Sequence, residues 1–338
     1  MKAIAAALSG AVLAMTAGCV GASSDAPPMA EIGLNETLER FKTTTGFVDG
    51  VVTAEARRRD GSARTLTSAR HLEAEWGLYA PPPPIPGFVS REFLLSENRH
   101  DGRTLLYALV EWNDGNPDEY MAFGWWMHLP VGASFRELEA AELGVFMDGP
   151  ELDLSTPPEM PVSGEATYLG GIGGLYEYRY GSGWREELRG ESQYVEFSAP
   201  IALTADFSDA SIGGCIGCTG DVVAETLHLY PIVAWRGPPP DALPADYEIR
   251  LGRTPFGANG IFEDSGIAVS HPERTVTETE GVWGGQFSNV PDPVGNPRRV
   301  VGLVDIRFAE ADGSSGSFLG GFSALTPATV RPPESETP

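Results

Sequence analysis

Cysteine is nearly absent from this chain. There are three among 338 residues: Cys19, Cys215 and Cys218. A structural zinc site closes with four ligands, usually a second C-x-x-C or a histidine pair. Neither exists here: the five histidines (His71, His100, His128, His228, His271) show no i, i+4 pairing, and His228, the nearest, stands ten residues after Cys218. Basic residues are also few, with 23 Lys and Arg against 47 Asp and Glu and a net charge of −24. A surface so acidic repels phosphate backbones and anionic headgroups, which argues against nucleic acid as a partner. The chain has no G-x-S-x-G elbow, H-E-x-x-H, P-loop or G-x-G-x-x-G at a strand–helix junction. Carboxylates are abundant, and without a cleft their chance proximity carries no glycosidase argument. The expectation is therefore no catalytic residues, no resident metal and no cofactor.

Long apolar runs are confined to the first eighteen residues, "MKAIAAALSGAVLAMTAG", one Lys followed by small uncharged residues. That is the composition of a secretory signal peptide, and no later segment is long and apolar enough to span a bilayer as a helix. The leader ends in "TAGC", and Cys19 opens a small polar tether over 19–33. The arrangement resembles a bacterial lipobox, departing from it at Thr16. The resemblance implies that Cys19 is the lipidation site, and Val20 in place of Asp implies the outer membrane. Ordinary cleavage, leaving Cys19 as a spare thiol, is the alternative.

Gly (41) and Pro (28) are plentiful, which favours turns over long helices, while 42% hydrophobic residues suffice for a core. Two short helices are expected, "LNETLERFKTT" after a possible Asn35 cap, with Leu34, Leu38 and Phe41 on one side, and "ASFRELEAAEL" with a Ser134/Glu137 capping box. "RTLLYALVEW" and "EYMAFGWWMHLP" flank the turn-rich "NDGNPD", which predicts a hairpin. Both faces of its second arm are apolar, so it should be covered on both sides. "PPPPIPG" (81–87) reads as an extended connection. Residues 34–155 thus form an N-terminal β-rich unit, and "STPPEMPVSG" marks the boundary to a second unit over 156–326.

There the alternation is plain. In "VEFSAPIALTADF" Val195, Phe197, Ala199, Ile201, Leu203, Ala205 and Phe207 alternate with Glu196, Ser198, Pro200, Ala202, Thr204 and Asp206, which a 3.6-residue period would scatter. Pro200 should bend or split that strand. "GEATYLG", "GLYEYRYG", "VVAETLHLY", "YEIRLG", "GIAVSH", "TVTETEGVWGGQF", "RRVVGLVDIRF" and "GSFLGGFSAL" follow the same pattern, spaced as in an up-and-down barrel. The fold class is all-β with minor helix: the N-terminal unit, then a soluble eight-stranded antiparallel β-barrel, then a disordered tail over 327–338. Trp76, Trp125, Trp126, Trp235 and Trp283 are core candidates. Glycines inside strands (Gly173, Gly174, Gly284, Gly285, Gly302, Gly320, Gly321) suit places where a side chain would crowd the interior.

Cys215 and Cys218 stand in "SIGGCIGCTGD", between the strand ending at Phe207 and one starting near Val222. In an oxidising compartment an even, close pair is more often a disulfide than a reactive dithiol. A redox pair would need a helix N-terminus to lower the thiol pKa, whereas glycines suggest a β-turn. A turn-stapling disulfide is the first reading; a redox dithiol and metal-binding or free thiols stay open.

"SGEATYLGGIGGLYEY", "FSAPIALTADFSDASIGGCIG", "GVWGGQFSN" and "RRVVGLVDIRF…GSFLGGFSA" resemble the barrel domain of transferrin-binding protein B-like lipoproteins, over about 160–326. The family's F-Y-G-P-x-A-x-E-x-x-G-like segment has only loose counterparts here. The resemblance implies a handle-like role for the N-terminal unit and a non-enzymatic surface lipoprotein. It also implies a protein, iron-carrier or haem-related ligand, an outer-membrane receptor as a possible partner, and no assignable ligand-binding residue. Tyr176, Tyr178 and Tyr180 share one strand face, read either as barrel wall or as a protein- or haem-contacting face. A secreted β-sandwich hydrolase acting on a polymer and a structural envelope protein are the rival functions.

Overall fold

The computed structural model describes residues 45–57, 63–68, 87–132, 142–153, 155–218, 227–230 and 243–330. Their regular structure is almost all antiparallel strand, as the two-residue alternation requires. Three sheets form, and they are stacked in chain order.

The first sheet has the order β1 (Thr45–Val48), β2 (Val51–Arg57), β3 (Ala63–Ser68). Asp49 and Gly50 connect β1 to β2 with φ of 51° and 75°. Two left-handed residues make the tight turn whose twist matches that of the strands it joins. The second sheet is a meander of β4 (Phe88–Arg99), β5 (Gly102–Asn113), β6 (Asn116–Pro130) and β7 (Glu142–Asp148). The expected hairpin is the β5–β6 pair, turning at Asp114–Gly115.

The third sheet begins with β8 (Glu165–Arg179), β9 (Ser192–Asp206), β10 (Ser211–Ile216) and β11 (His228–Tyr230). It continues with β12 (Glu248–Pro255), β13 (Ile261–Asp264), β14 (Ile267–Ser270), β15 (Val276–Phe287), β16 (Arg299–Glu310) and β17 (Ser315–Leu325). Its order is β13-β15-β16-β17-β8-β9-β10-β12-β14, with β11 on β9. The ends of that path are two halves of one stave. β13 pairs with β15, and two residues later β14 pairs with β12, so residues 261–270 close the wall by changing partner midway. Thr254 and Gly252 of β12 bond to Glu263 and Gly266 along the same seam, and Val269 bonds to Thr279 of β15. Counting β13/β14 as one stave, and β10/β11, which follow one another along β9, as another, the barrel has eight among the described residues.

Two cores follow from strand parity. Inside the barrel lie Tyr168, Ile172, Phe197, Ile201, Phe207, Ile212, Ile249, Trp283, Val304, Phe318 and Phe322, with further aromatics, all buried. Each large apolar side chain moved out of water contributes roughly 1.5–3 kcal/mol. On the opposite parity, Leu175, Val301, Leu303 and Leu319 face outward and pack on Leu105, Tyr107, Leu109, Met121, Trp125 and Met127 of the second sheet. The other face of that sheet, with Leu106, Ala108, Val110, Ala122, Trp126 and Phe146, is covered by Phe47, Val52, Ala54 and Leu66 of the first. β6 is therefore buried on both faces, as its sequence predicts. Where the second sheet does not cover it, the barrel wall shows Asp206, Arg250, Arg253, Glu278 and Glu280. A lipid-facing barrel needs an apolar band there and a polar lumen; this one has the reverse.

Several expectations need correction. "GEATYLG" and "GLYEYRYG" are one unbroken strand, β8, paired with β9 throughout. β9 neither splits nor ends at Pro200, because its second neighbour changes there from β10 to β11. The Pro200 carbonyl accepts from Gly217 N–H on that side. A residue in an antiparallel ladder points both its polar groups at one neighbour, so the missing N–H falls at the changeover. Cys215 lies in a strand, β10, rather than in a turn; the glycines of "SIGGCI" mask the alternation of Ile212 and Ile216. Pro327–Val330, in the expected tail, forms a helical turn (α1), with Thr329 Oγ1 2.8 Å from Thr326 Oγ1. Glu142 and Leu143, at the end of the second expected helix, belong to β7. Residues 34–44, 81–86 and 133–141, Trp76 and Trp235 lie outside the described residues.

A candidate functional site at one mouth of the barrel

One end of the barrel collects the turns after β8, β14 and β16 and the residues leading into β12. Parity brings the polar groups inside. Glu310 continues the inward series Val300, Val304, Ile306 and Phe308 of β16, and Tyr176 and Tyr178 continue that of β8. The Glu310 carboxylate is shared: Tyr178 donates to Oε2 at 2.9 Å, Tyr247 to Oε1 at 2.6 Å and Arg274 Nε to Oε2 at 2.6 Å. Arg274 Nη2 also donates to the Tyr178 hydroxyl at 2.7 Å and to Asp312 Oδ2 at 2.9 Å. Trp184 covers the group from outside. Its ring lies 5.0 Å from the Arg274 guanidinium carbon, and its indole N–H donates to Ser314 Oγ at 3.1 Å. Charge-assisted bonds of this kind are roughly twice as strong as neutral ones.

The electrostatics follow the burial. Loss of water pushes the phenols of Tyr176, Tyr178 and Tyr247 well above the ordinary tyrosine range, aided in each by the Glu310 charge. Burial alone pushes Tyr180 up to about 12. Burial opposes ionisation of Asp312, but the Ser314 N–H and Arg274 outweigh it and hold the carboxyl below its usual range. Burial likewise opposes the Arg274 charge, and Glu310 more than offsets it. His271, edge-on to Tyr247 at 4.8 Å, is lowered by burial. The three tyrosines thus sit inside the barrel, with Tyr178 bonded to the polar group at the mouth. Together the bonds tie the turns after β8, β14 and β16 across this end of the barrel.

On the outer wall at the same end, Cys215 of β10 pairs with Ala202 of β9 and Arg250 of β12. Gly217, with φ 67°, turns the chain so that Cys218 returns to Cys215, with Cα atoms 5.9 Å apart. Glu248 joins them: one carboxylate oxygen and the two sulfurs lie within 4.8 Å of one another. Sequence reasoning missed Glu248, Arg274, Glu310 and Trp184. Only Glu310 was readable, since it extends an apolar series on its own strand face. Of the other sequence candidates, Trp125, Trp126 and Trp283 are buried, and Cys19 lies outside the described residues.

No family model matches the chain, and no curated protein matches it. Among solved structures, one similar chain is described as the crystal structure of a surface lipoprotein. It is 9% identical, with a TM-score of 0.30, over 80% of this chain and 92% of that one. A likeness of that size carries no argument about what this chain does.

Proposed function

We propose that this chain is a lipid-anchored, non-enzymatic lipoprotein of the outer membrane, in which the barrel and its stacked sheets are a scaffold that binds a protein or an iron- or haem-related ligand. The observation that carries the reading is the filled interior. Trp283, Phe197, Phe318 and Phe322 are buried in the barrel interior, and the Tyr178–Glu310–Arg274 group lies across the mouth. Recognition then falls to the loops and the outer wall. The "TAGC" leader supports an acyl chain on Cys19, and the strand signatures over 160–326 support likeness to the transferrin-binding protein B type. A disulfide between Cys215 and Cys218 is part of the proposal, since their Cα separation of 5.9 Å lies within the usual window.

Two measurements test it. Cells expressing the chain are fed radiolabelled palmitate; label should appear on the wild type and vanish from Cys19→Ala. The purified protein is then titrated with haem and with iron-loaded carrier proteins on a sensor surface, alongside its visible absorbance. Saturable binding of one of them supports the reading. An unlabelled wild type sinks the anchor, and hydrolysis of an envelope polymer without binding would replace the scaffold with an enzyme.

A further inference from the structure

The Cys215/Cys218 pair has a third potential ligand beside it, and the arrangement is built by the ladder. Ile216 faces Ile249, and Cys215 faces Arg250, so Glu248 lies diagonal to Cys215 on the same outer face. A register slip between Ile212 and Gly214 and the left-handed Gly217 set the height at which the second sulfur returns. A Cβ on Gly217 would come within 2.9 Å of the Tyr247 carbonyl oxygen, so the turn needs glycine for space as well as for φ. All three donors are half-buried. Glu248 is held by Arg250 at 2.5 Å, but the Arg250 side chain is 73% exposed and free to swing into solvent.

We propose that, when the pair is reduced, Cys215, Cys218 and Glu248 bind a thiophilic divalent cation, of which Zn2+ is the natural example. Two thiolates and a carboxylate are ordinary zinc donors, and three protein ligands leave the fourth position to water or an incoming ligand. The site is gated by redox state. A disulfide accepts two electrons and two protons from two molecules of an external thiol, which leave joined as their own disulfide. Metal binding then displaces the two protein thiol protons, so it becomes weaker as pH falls. The oxidised pair offers no thiolate and binds nothing. This goes beyond the lipoprotein reading and does not depend on it: the anchor and ligand experiments can fail while this one succeeds, and the reverse.

The test uses the full chain carrying Cys19→Ser, so that only two thiols remain, reduced with a phosphine under argon and titrated with Co2+. One equivalent should produce a thiolate-to-cobalt charge-transfer band and visible bands of a four-coordinate ion, which Zn2+ then bleaches. The oxidised protein should show neither. Glu248→Gln should weaken binding at least tenfold while keeping the charge-transfer band, and the Cys215→Ser/Cys218→Ser double variant should abolish it. Zn2+ should also protect both cysteines of the Cys19→Ser chain from alkylation, a readout that needs no variant at the site. Absence of the band and of protection in the reduced protein overturns the site. Unchanged affinity in a folded Glu248→Gln overturns the role of the carboxylate.

Discussion

Arg299 of β16 and Glu111 of β5 face each other across the boundary between the barrel and the second sheet, with Nη1 and Oε2 2.7 Å apart and neither side chain reaching solvent. Each continues an apolar series on its strand face, Val301 and Leu303 on one side, Leu105, Tyr107 and Leu109 on the other. Glu151 lies beside them, 3.7 Å from Arg299 Nε and bonded to Arg298 and Ser288. Glu111→Leu takes the nearest carboxylate from a buried guanidinium that keeps Glu151 at 3.7 Å and the Ser323 hydroxyl, so the loss should be about 2–3 kcal/mol, at or below the low end of that for a wholly uncompensated buried charge. Urea titration should show that loss, with Glu111→Leu/Arg299→Met recovering most of it. A loss below ~1 kcal/mol would show the pair to be dispensable.

The buried phenols predict an alkaline limit. Tyr168, Tyr176, Tyr178, Tyr180 and Tyr247 are all raised above their ordinary pKa of 10, chiefly by burial. Above pH 10 the unfolded chain releases these protons while the native protein keeps them, so stability falls as pH rises. It is undiminished below about 10 and declines through the window up to about 12, where Tyr180 titrates. Phenolate absorbance should therefore rise in two stages, the second coincident with loss of the near-ultraviolet dichroism. A single smooth rise centred on 10 would contradict the assignment.

Glu177 is raised by burial, an effect only partly offset by the Tyr194 hydroxyl that donates to Oε1 at 2.7 Å. With a folded pKa above the unfolded one, the protonated carboxyl stabilises at low pH, and that contribution is lost as pH rises through the folded value. Glu177→Gln keeps an acceptor for Tyr194 and removes the buried charge. Its melting temperature should exceed that of the wild type at pH 7, with the difference closing below pH 4.5. An equal or lower melting temperature at pH 7 refutes the prediction.

Gly174 marks a close approach between β8 and β17. A methyl group there would run into the Leu319 carbonyl and the Gly320 Cα, and backbone cannot give way as a side chain can. Gly174→Ala should cost roughly 3 kcal/mol, at the upper end of overpacking losses. Gly190→Ala offers a contrast, since a Cβ there meets nothing and only the φ of 80° resists it; its loss should be about 1 kcal/mol.

The barrel was legible wherever a strand alternates over many residues, as in β9, because a period of two sorts side chains between two environments without help from neighbours. β10 was hidden, since glycines at 213 and 214 remove the side chains that carry the signal. The doubled stave 261–270 was half seen, as "GIAVSH", because its two halves satisfy different neighbours and each is only four residues long. The mouth cluster was illegible in another way. Nothing local to Arg274 indicates that it will meet Glu310 and Asp312, and the Tyr178–Glu310 pair spans 132 residues. Pairings at that distance depend on registers that no single segment contains.

The four-stranded meander is the middle of a sandwich with oily surfaces above and below, so neither slice of bread can be lifted away without wetting the filling. Cutting the polypeptide near residue 160 would not yield two self-sufficient pieces: the front fragment would expose Leu105, Met121 and Met127 and clump, and the cylinder would expose Leu303 and Leu319. Front and back halves are therefore expected to melt together as a single cooperative unit, despite the proline-rich seam between them.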